Sequence, residues 1–238
     1  MFVALINNER TEAKPHSQGI CPYCGNKVIS KCGEIKIWHW AHAKDDFCDS
    51  WSEPETLWHY YWKMLFGIEN VEVSITKDGK RHIADVLTTN NEIIEMQNSP
   101  IQKGVIKERE NFYGEKMLWL INGRTFNNFY INDYCYVYND QEKRDILVDG
   151  KENEDLDFFF HWDSPRKSWE SVKQPVFIDF GGDKLFCVKK GMGLTTGKGS
   201  FVPVEKFINK HGGDHKNYSL IEKIAPVYFK YQMKREND

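Results

Sequence analysis

Two acidic residues in the segment RHIADVLTTNNEIIEMQ, residues 81–97, have the types and spacing to bind a divalent metal. The pattern predicts two short strands joined by a tight turn, with Asp85 on the first strand and Glu95 on the second. Carboxylates on adjacent strands can hold Mg²⁺ or Mn²⁺ and leave positions open for water and a phosphate oxygen. Gln97 shares the face of Glu95 and can hydrogen-bond the attacking water. This chemistry is that of a metal-dependent nuclease.

The length of the turn decides whether the two acids face each other. A three-residue loop, residues 89–91, puts Asp85 directly opposite Glu95. A two-residue loop of Asn90 and Asn91 would send the acids to opposite faces of the sheet. The nuclease interpretation therefore predicts the longer loop. A surface hairpin with scattered polar side chains is the alternative, and the hairpin alone does not decide between the two.

The composition is that of a globular protein without a general attraction for polyanions. The chain has 238 residues, 14% of them aromatic, and a formal net charge of −3. Any nucleic-acid binding therefore has to use local patches. The N-terminal residues lack the features of a signal peptide, and no segment is apolar enough to span a bilayer. We expect a cytoplasmic protein with no membrane partner.

Cysteines concentrate near the N-terminus, where four of the six lie within the first fifty residues. In a reducing compartment such clustering favours a metal over disulfides. Cys21 and Cys24 span a tight turn, which is the usual half of a tetrahedral zinc site. His39 and His42 are predicted to complete it, because their close spacing repeats that of the cysteine pair. Four protein ligands would make a closed, structural Zn²⁺ site.

Two further cysteines leave the ligand set open. Cys32 and Cys48 can complete a four-cysteine site in place of the histidines. Between the ligand pairs, residues 27–30 and 34–39 predict a small hairpin. Such a module is too small to bury a core without the metal.

A helix is predicted to begin at the segment SEPE, residues 52–55, with Ser52 as its N-cap. Glu55, His59 and Lys63 recur every four residues and would form one polar line along this helix. That line can face the hairpin acids, with Glu55 as a further ligand of metal or water. Ser52 and Glu55 also fit a capping box, and for Glu55 alone this plain structural role is favoured.

A second predicted helix, residues 101–113, carries basic side chains. Lys103, Lys107 and Arg109 make it cationic, and Tyr113 lies one turn beyond Arg109. Such a face can contact phosphates. Charged helix faces are nevertheless more often plain solvated surface.

The order of these elements resembles the αβββαβ core of PD-(D/E)XK nucleases, in an α+β fold. More closely, the chain resembles the CoiA-like competence-protein family. The matching motifs follow one another over residues 21–121: Cys21-Pro-x-Cys24, Trp38-His-Trp-Ala-His42, Glu55-x-x-x-His59-x-x-x-Lys63, Ala84-Asp85-Val86-Leu87, Ile94-Glu95-Met-Gln97-Asn-Ser99, Arg109-x-x-x-Tyr113 and Leu118-Trp119.

The resemblance implies a bacterial protein that acts on DNA, in that family linked to recombination of incoming DNA during competence. Carried over by position, Asp85 and Glu95 bind the metal and Glu55 is the helix acid. Gln97 stands where the superfamily usually has lysine. A neutral amide cannot supply positive charge to the developing phosphorane, so the metal would carry more of that stabilisation. The predicted nucleic-acid contacts are Lys63, Lys103, Lys107, Arg109 and Tyr113.

Three regions are predicted: a zinc-knuckle module at 1–51, a nuclease core at 52–140 and a β-rich accessory region at 141–238. In the last region, residues 176–188 predict a hairpin and residues 204–210 a short helix. The glycine-rich stretch 189–199, with Lys189, Lys190 and Lys198, fits either a cationic loop near nucleic acid or, more commonly, an ordinary surface loop.

The leading hypothesis is a Mg²⁺-dependent DNA endonuclease, with recombination or defence proteins as partners. The alternative is a DNA-binding recombination accessory protein whose nuclease fold cuts poorly. A more distant hypothesis is a zinc-stabilised protein-interaction module whose acids are surface residues. No Walker motif is present, so ATP-driven work would need a partner.

Overall fold

The computed structural model describes residues 1–33, 36–42, 48–51, 54–132, 134–139, 141–149 and 156–216. Strands 134–139 and 144–149 are described by their backbone alone. The chain forms two compact units, a first unit of Met1–Ile94 with Ile208–Asp238 and a second unit of Glu95–Phe207. The three regions predicted from the sequence stay a prediction, and the division by contacts falls at other positions.

The first unit begins with a five-stranded antiparallel sheet in the order β2-β1-β3-β4-β5. Its strands are β1 (Val3–Ile6), β2 (Glu9–Glu12), β3 (Gln18–Ile20), β4 (Lys27–Lys31) and β5 (His39–His42). The predicted hairpin partner of β4 lies later than expected, at residues 39–42, and part of residues 34–39 falls outside the described residues. The buried side chains behind this sheet are few and include Ala4, Tyr23, Val28 and Trp40.

The rest of the first unit contains α1 (Leu57–Met64) and the antiparallel strands β6 (Val71–Lys77) and β7 (Lys80–Leu87). Strand β8 (Ile93–Gln97) pairs antiparallel with β7, and the unit boundary falls within it, after Ile94. The N-cap of α1 is Thr56, whose hydroxyl accepts a hydrogen bond from the His59 N–H at 3.3 Å. Thr56 has the extended backbone of an N-cap, so the helix begins later than predicted and Glu55 lies before it. The predicted cap, Ser52, lies outside the described residues.

The second unit contains α2 (Lys103–Tyr113) and a sheet in the order β10-β13-β16-β15-β14-β9-β8. Its further strands are β9 (Met117–Asn122), β10 (Phe129–Ile131), β13 (Phe158–Trp162), β14 (Val176–Asp179), β15 (Lys184–Lys190) and β16 (Thr196–Pro203). Strands β11 (Tyr134–Asn139) and β12 (Arg144–Asp149) pair with each other, and α3 (Val204–Lys210) runs across the unit boundary. β9 is buried throughout, as expected of an apolar strand next to parallel β14.

The predicted α+β class is confirmed. The order α1-β6-β7-β8-α2-β9 is the predicted one, while its assignment as a nuclease core stays a prediction. The C-terminal hairpin is confirmed by the pairing of β14 with β15, and α3 has the predicted bounds. Among the described helices, none has the length and apolarity needed to cross a membrane.

Candidate functional site: an acidic cluster and a cysteine-rich metal centre

The turn between β7 and β8 has the predicted length. Val86 pairs with Ile94, and the Thr88 N–H donates to the Glu92 carbonyl at 2.9 Å, which leaves residues 89–91 as the loop. Asn91 has a φ of 59°, the left-handed conformation that asparagine tolerates. The three-residue loop predicted from the sequence is therefore confirmed.

The Lys63 ammonium lies among three carboxylates of the first unit. Its Nζ is 3.0 Å from Glu55 Oε2, 3.1 Å from Glu72 Oε1 and 3.4 Å from Asp85 Oδ1. We call these four residues the acidic cluster. All are buried except Asp85, whose side chain is 22% exposed. Lys63 is buried in this cluster, and its predicted contact with nucleic acid stays a prediction.

Strand register and helix position assemble this cluster. Val71 pairs with Val86 and Val73 with Ala84, so Glu72 and Asp85 occupy opposed positions on β6 and β7 and share a face. Lys63 reaches them from the last turn of α1. The predicted polar line along α1 is not formed as expected, because Glu55 precedes the helix and the His59 ring lies 2.8 Å from the cap hydroxyl.

Glu72 has contacts that the sequence analysis missed. Its carboxylate accepts hydrogen bonds from the Phe2 and Val3 N–H groups at 2.7 and 3.1 Å, and its carbonyl accepts one from the Tyr23 hydroxyl. Its φ of 46° is unusual for a residue other than glycine or asparagine. The run Val71-Glu72-Val73, an acid between two β-branched residues, was the available signal.

The charges of the cluster support each other electrostatically. Burial by itself would lower the pKa of Lys63, but Glu55, Glu72 and Asp85 raise it well above its usual range. Burial likewise opposes ionisation of Glu72, yet Lys63, the N-terminal ammonium and the two backbone N–H groups lower its pKa to about 2. Both groups are therefore charged at neutral pH, and each is stabilised by the other.

This depressed pKa predicts acid sensitivity. Glu72 has an ordinary pKa of 4.5, so the folded state loses its contribution as the pH falls from 4.5 to about 2. We expect a loss of about 3 kcal/mol of unfolding free energy across that window. Urea unfolding at a series of pH values measures it, and Glu72→Gln should flatten this part of the curve. Glu69→Gln, at an acid that is 74% exposed, is the control and should leave the curve unchanged.

Glu95, Gln97 and Arg109 lie in the second unit and are all buried. Arg109 Nη1 donates to Glu95 Oε2 at 2.8 Å, and the predicted contact of Arg109 with phosphate stays a prediction. The Gln97 amide donates to the Ser99 carbonyl at 2.9 Å. The Arg109–Glu95 pair was not predicted, because the two residues are fourteen positions apart.

The remaining predicted nucleic-acid contacts lie on α2. Lys103 and Lys107 are exposed and four residues apart, which places them on one side of the helix. Tyr113 is half-buried at the end of α2. Of the predicted nucleic-acid contacts, Lys103 and Lys107 are the ones that are exposed to solvent, as binding to a phosphate requires.

The sulfur and nitrogen donors of Cys21, Cys24, His42 and Cys48 converge within 4.8 Å of one another. We call these residues the Cys3His cluster. Cys48 Sγ lies 3.2 Å from Cys24 Sγ and 3.0 Å from His42 Nε2. Three thiolates and one imidazole around a common point form a donor set that suits tetrahedral Zn²⁺. The residues present therefore fit a structural zinc ion.

A tight turn presents the first two sulfurs. The Cys21 N–H donates to the Asn26 carbonyl at 2.8 Å, and the Gly25 N–H donates to the Cys21 carbonyl at 3.0 Å. Gly25 has a φ of 73°, which favours glycine at this turn. The Tyr23 N–H also lies 3.4 Å from Cys21 Sγ, so the backbone orients the sulfur.

His39, predicted as the fourth ligand, is outside the Cys3His cluster, and Cys48 takes that place. His39 and His42 are three residues apart on β5, so their side chains project to opposite faces. The His39 Nδ1 instead lies 2.8 Å from the Ile37 carbonyl. Cys32, the other alternative, is also outside the cluster. The alternation of side chains along residues 39–42 was the available signal, because it places only one of the two histidines on the side of the cysteines.

Burial disfavours ionisation of the three thiols of the Cys3His cluster. Burial raises the pKa of both Cys21 and Cys48. Burial also opposes ionisation of Cys24, but hydrogen bonds from the Asn26 N–H and from Cys48 and Cys21 lower its pKa. Zinc binding deprotonates its cysteine ligands, and the bound charge offsets the cost of burying thiolates.

Residues 5–50 match the family model described as Competence protein CoiA, N-terminal domain. This segment is therefore similar to the N-terminal domain of CoiA competence proteins. It contains all four residues of the Cys3His cluster, so the candidate metal centre belongs to the part of the chain that the family defines. The resemblance to the CoiA-like family is confirmed, whereas membership of the PD-(D/E)XK superfamily stays a prediction. No curated protein and no solved structure matches the chain.

Proposed function

We propose that the protein is a metal-dependent nuclease that acts on DNA in a competence-related process. The observation that carries this proposal is the charge of the acidic cluster. Three carboxylates surround one ammonium, so negative charge exceeds positive charge by two among the four residues of the acidic cluster. The match of residues 5–50 to the CoiA N-terminal domain supports a competence-related role.

The donors of the cluster suit Mg²⁺ or Mn²⁺, which prefer carboxylate oxygens. Glu55 Oε1 is buried and has no hydrogen-bond partner among the residues that the structure describes. Asp85 is the member of the cluster with access to solvent. An oxygen that lacks a partner beside an accessible carboxylate is the arrangement expected of ligands that share a cation.

Each residue of the acidic cluster has a distinct role in this proposal. A bound Mg²⁺ supplies Lewis acidity toward a phosphoryl oxygen and lowers the pKa of a bound water. Asp85 and Glu55 hold the ion, and Lys63 fixes the positions of both carboxylates. Glu95, the second metal ligand predicted from the sequence, lies in the second unit, and its role as a ligand stays a prediction.

Lys63 also bears on the presence of glutamine at position 97, where the nuclease superfamily usually has lysine. The superfamily's usual lysine would stand at that position, and an amide there supplies no charge. Lys63 Nζ, 3.4 Å from Asp85 Oδ1, brings a lysine charge beside the proposed metal ligand from α1 instead. In this assignment Lys63 is a positioning residue, and the role of Gln97, which lies in the second unit, stays a prediction.

A second candidate function is a DNA-binding accessory protein that cuts poorly and works with recombination or defence proteins. The observation that favours it is the burial of Glu95 and Gln97, together with the 2.8 Å ion pair between Glu95 and Arg109. A carboxylate held by arginine binds a metal only if that pair loosens.

Asp85→Asn tests the enzyme proposal, because it keeps the size of the side chain and removes the charge. We expect metal-dependent cleavage of supercoiled DNA to fall at least about a hundredfold, as for loss of one group that stabilises a developing charge. Asp78→Asn is the matched control, since Asp78 is an exposed acid in the turn between β6 and β7. It should cleave like the wild type.

The outcomes separate the candidate functions. Wild-type cleavage by Asp85→Asn would exclude Asp85 as a metal ligand. A wild-type protein that binds DNA but does not cut it with Mg²⁺ or Mn²⁺ would support the accessory function. A protein that neither binds nor cuts DNA would leave the zinc-stabilised interaction module.

A further inference from the structure

The second unit presents an exposed sheet face that carries aromatic rings. On β13, Phe158, Phe160 and Trp162 are buried, whereas Phe159 and His161 between them are exposed. This alternation assigns the two faces of the strand. The face that contains Phe159 and His161 therefore points to water.

Neighbouring strands extend this face. Tyr130 on β10 pairs with His161, and Lys198 on β16 pairs with Phe159. Lys198 also pairs with Lys190 on β15. Directly opposed residues of an antiparallel ladder project to the same side, so all five side chains share one surface. We call these residues the aromatic face.

The exposure of its rings is unusual. Tyr130 is 55% exposed and Phe159 is 47% exposed, and they are two of five large hydrophobic residues with such exposure in the part of the chain that the structure describes. The outer face of an antiparallel sheet is ordinarily polar. Two rings placed together on such a face indicate a surface that binds a partner.

The charge beside the rings is positive. Lys189 Nζ lies 2.5 Å and Lys198 Nζ 2.8 Å from the Asp157 carboxylate, so one acid is shared by two ammonium groups. These contacts lower the pKa of Asp157. Lys190 adds a third ammonium, and a second acid, Asp163, lies 2.8 Å from the His161 ring. Among the residues of this face that the structure describes, cations therefore exceed anions.

We propose that the aromatic face binds single-stranded nucleic acid. Tyr130 and Phe159 are diagonal neighbours on adjacent strands, at a Cα separation of about 7–8 Å, so that two bases can stack side by side. Stacking on rings accepts any base, and lysines that track the phosphates complete such a platform. A duplex keeps its bases inside, so the rings select single strands.

This site shares no residue with the proposed cleavage site, and binding to it does not depend on cleavage. The lysines that the sequence analysis placed in a glycine-rich loop lie instead on β15 and β16. Their strand positions fix them beside the rings. A binding role for these lysines therefore follows from the sheet register and not from loop flexibility.

The test is fluorescence anisotropy of the full chain with a labelled oligothymidine of about 20 nucleotides, without added Mg²⁺ or Mn²⁺. The double variant Tyr130→Ala, Phe159→Ala should weaken binding at least about tenfold, because each stacked base contributes roughly 5- to 150-fold in affinity. Tyr130→Leu with Phe159→Leu keeps apolar surface but removes the rings, and it should weaken binding similarly. Asp157→Asn should tighten binding.

Two controls match these changes. Trp38→Ala removes a ring that is 44% exposed in the first unit, and Lys116→Ala removes an exposed lysine outside the aromatic face. Both should bind like the wild type. Lys198→Ala should weaken binding and reduce its salt dependence.

Unchanged affinity in both ring variants would overturn the proposal. It would also be overturned if the wild type bound duplex DNA as tightly as the oligothymidine and the ring variants lost affinity for both equally. If the leucine variant binds like the wild type and the alanine variant does not, apolar surface is sufficient and the rings are not needed. That behaviour would identify a surface for a protein. Ultraviolet cross-linking of the oligothymidine to Tyr130 or Phe159, mapped by mass spectrometry, would support the proposal directly, and cross-links confined to other residues would contradict it.

Discussion

Cys48→Ser is expected to release the bound zinc and to unfold the N-terminal sheet, whereas His39→Ala is expected to leave both unchanged. Cys48 Sγ lies within 3.4 Å of a donor atom of each of the other three residues of the Cys3His cluster. Structural zinc contributes about 10–16 kcal/mol of apparent free energy in small zinc modules, so loss of one ligand costs a large part of their stability. The small core behind the sheet cannot offset such a loss.

Elemental analysis measures the metal, and we expect about one zinc per chain in the wild type and in His39→Ala. Hydrogen exchange of the peptides that cover residues 1–42, mapped by mass spectrometry, reports unfolding of this region. Cys32→Ser is a second control within the same segment. Full zinc content in Cys48→Ser, with loss in His39→Ala, would restore the ligand set expected from the sequence.

Lys63→Met is expected to destabilise the fold by about 3–5 kcal/mol, because it removes the only charge partner that the structure shows for Glu55 and leaves buried carboxylates together. Methionine preserves most of the volume of the side chain, so the cost is electrostatic. Adding Glu72→Gln should recover part of the loss, since it removes one of the carboxylates left without the ammonium.

Urea unfolding of the single and double variants gives the coupling between Lys63 and Glu72. Lys80→Met is the control, because Lys80 is an exposed lysine of β7 and its substitution should change stability by less than about 0.5 kcal/mol. A Lys63→Met protein as stable as the control would mean that Lys63 does not stabilise the acidic cluster. Additive effects of the two substitutions would mean that Lys63 and Glu72 are not coupled.

The parts of the structure that the sequence predicted are those with local causes. The β7–β8 turn followed from side-chain alternation and from the tolerance of Asn91 for positive φ. The tight turn at Cys21 and Cys24 followed from the spacing of the cysteines and from Gly25. Each of these depends on residues within a few positions of one another.

The parts that the sequence missed depend on distant partners. Lys63 and Arg109 look like surface residues, because charged side chains are rarely buried, and only the fold reveals Glu72 and Glu95 as the acids that pair with them. Choosing Cys48 over His39 required knowing that His39 and His42 project to opposite faces of β5, and the predicted limits of that strand were wrong. The start of α1 was predicted too early because the cap is Thr56, a residue type as suited to the N-cap position as serine.

The hydrogen bonds of Glu72 bear on how this chain can be cut into pieces. The family match stops at residue 50, yet the Phe2 and Val3 N–H groups bind a carboxylate that lies beyond it. Asp49 similarly accepts a hydrogen bond from the Ile83 N–H at 2.6 Å. A recombinant fragment that ends at residue 50 would keep its cysteines but lose this support. The residue at which the family match ends is therefore not the end of a segment that folds independently. Truncated proteins should extend through β7.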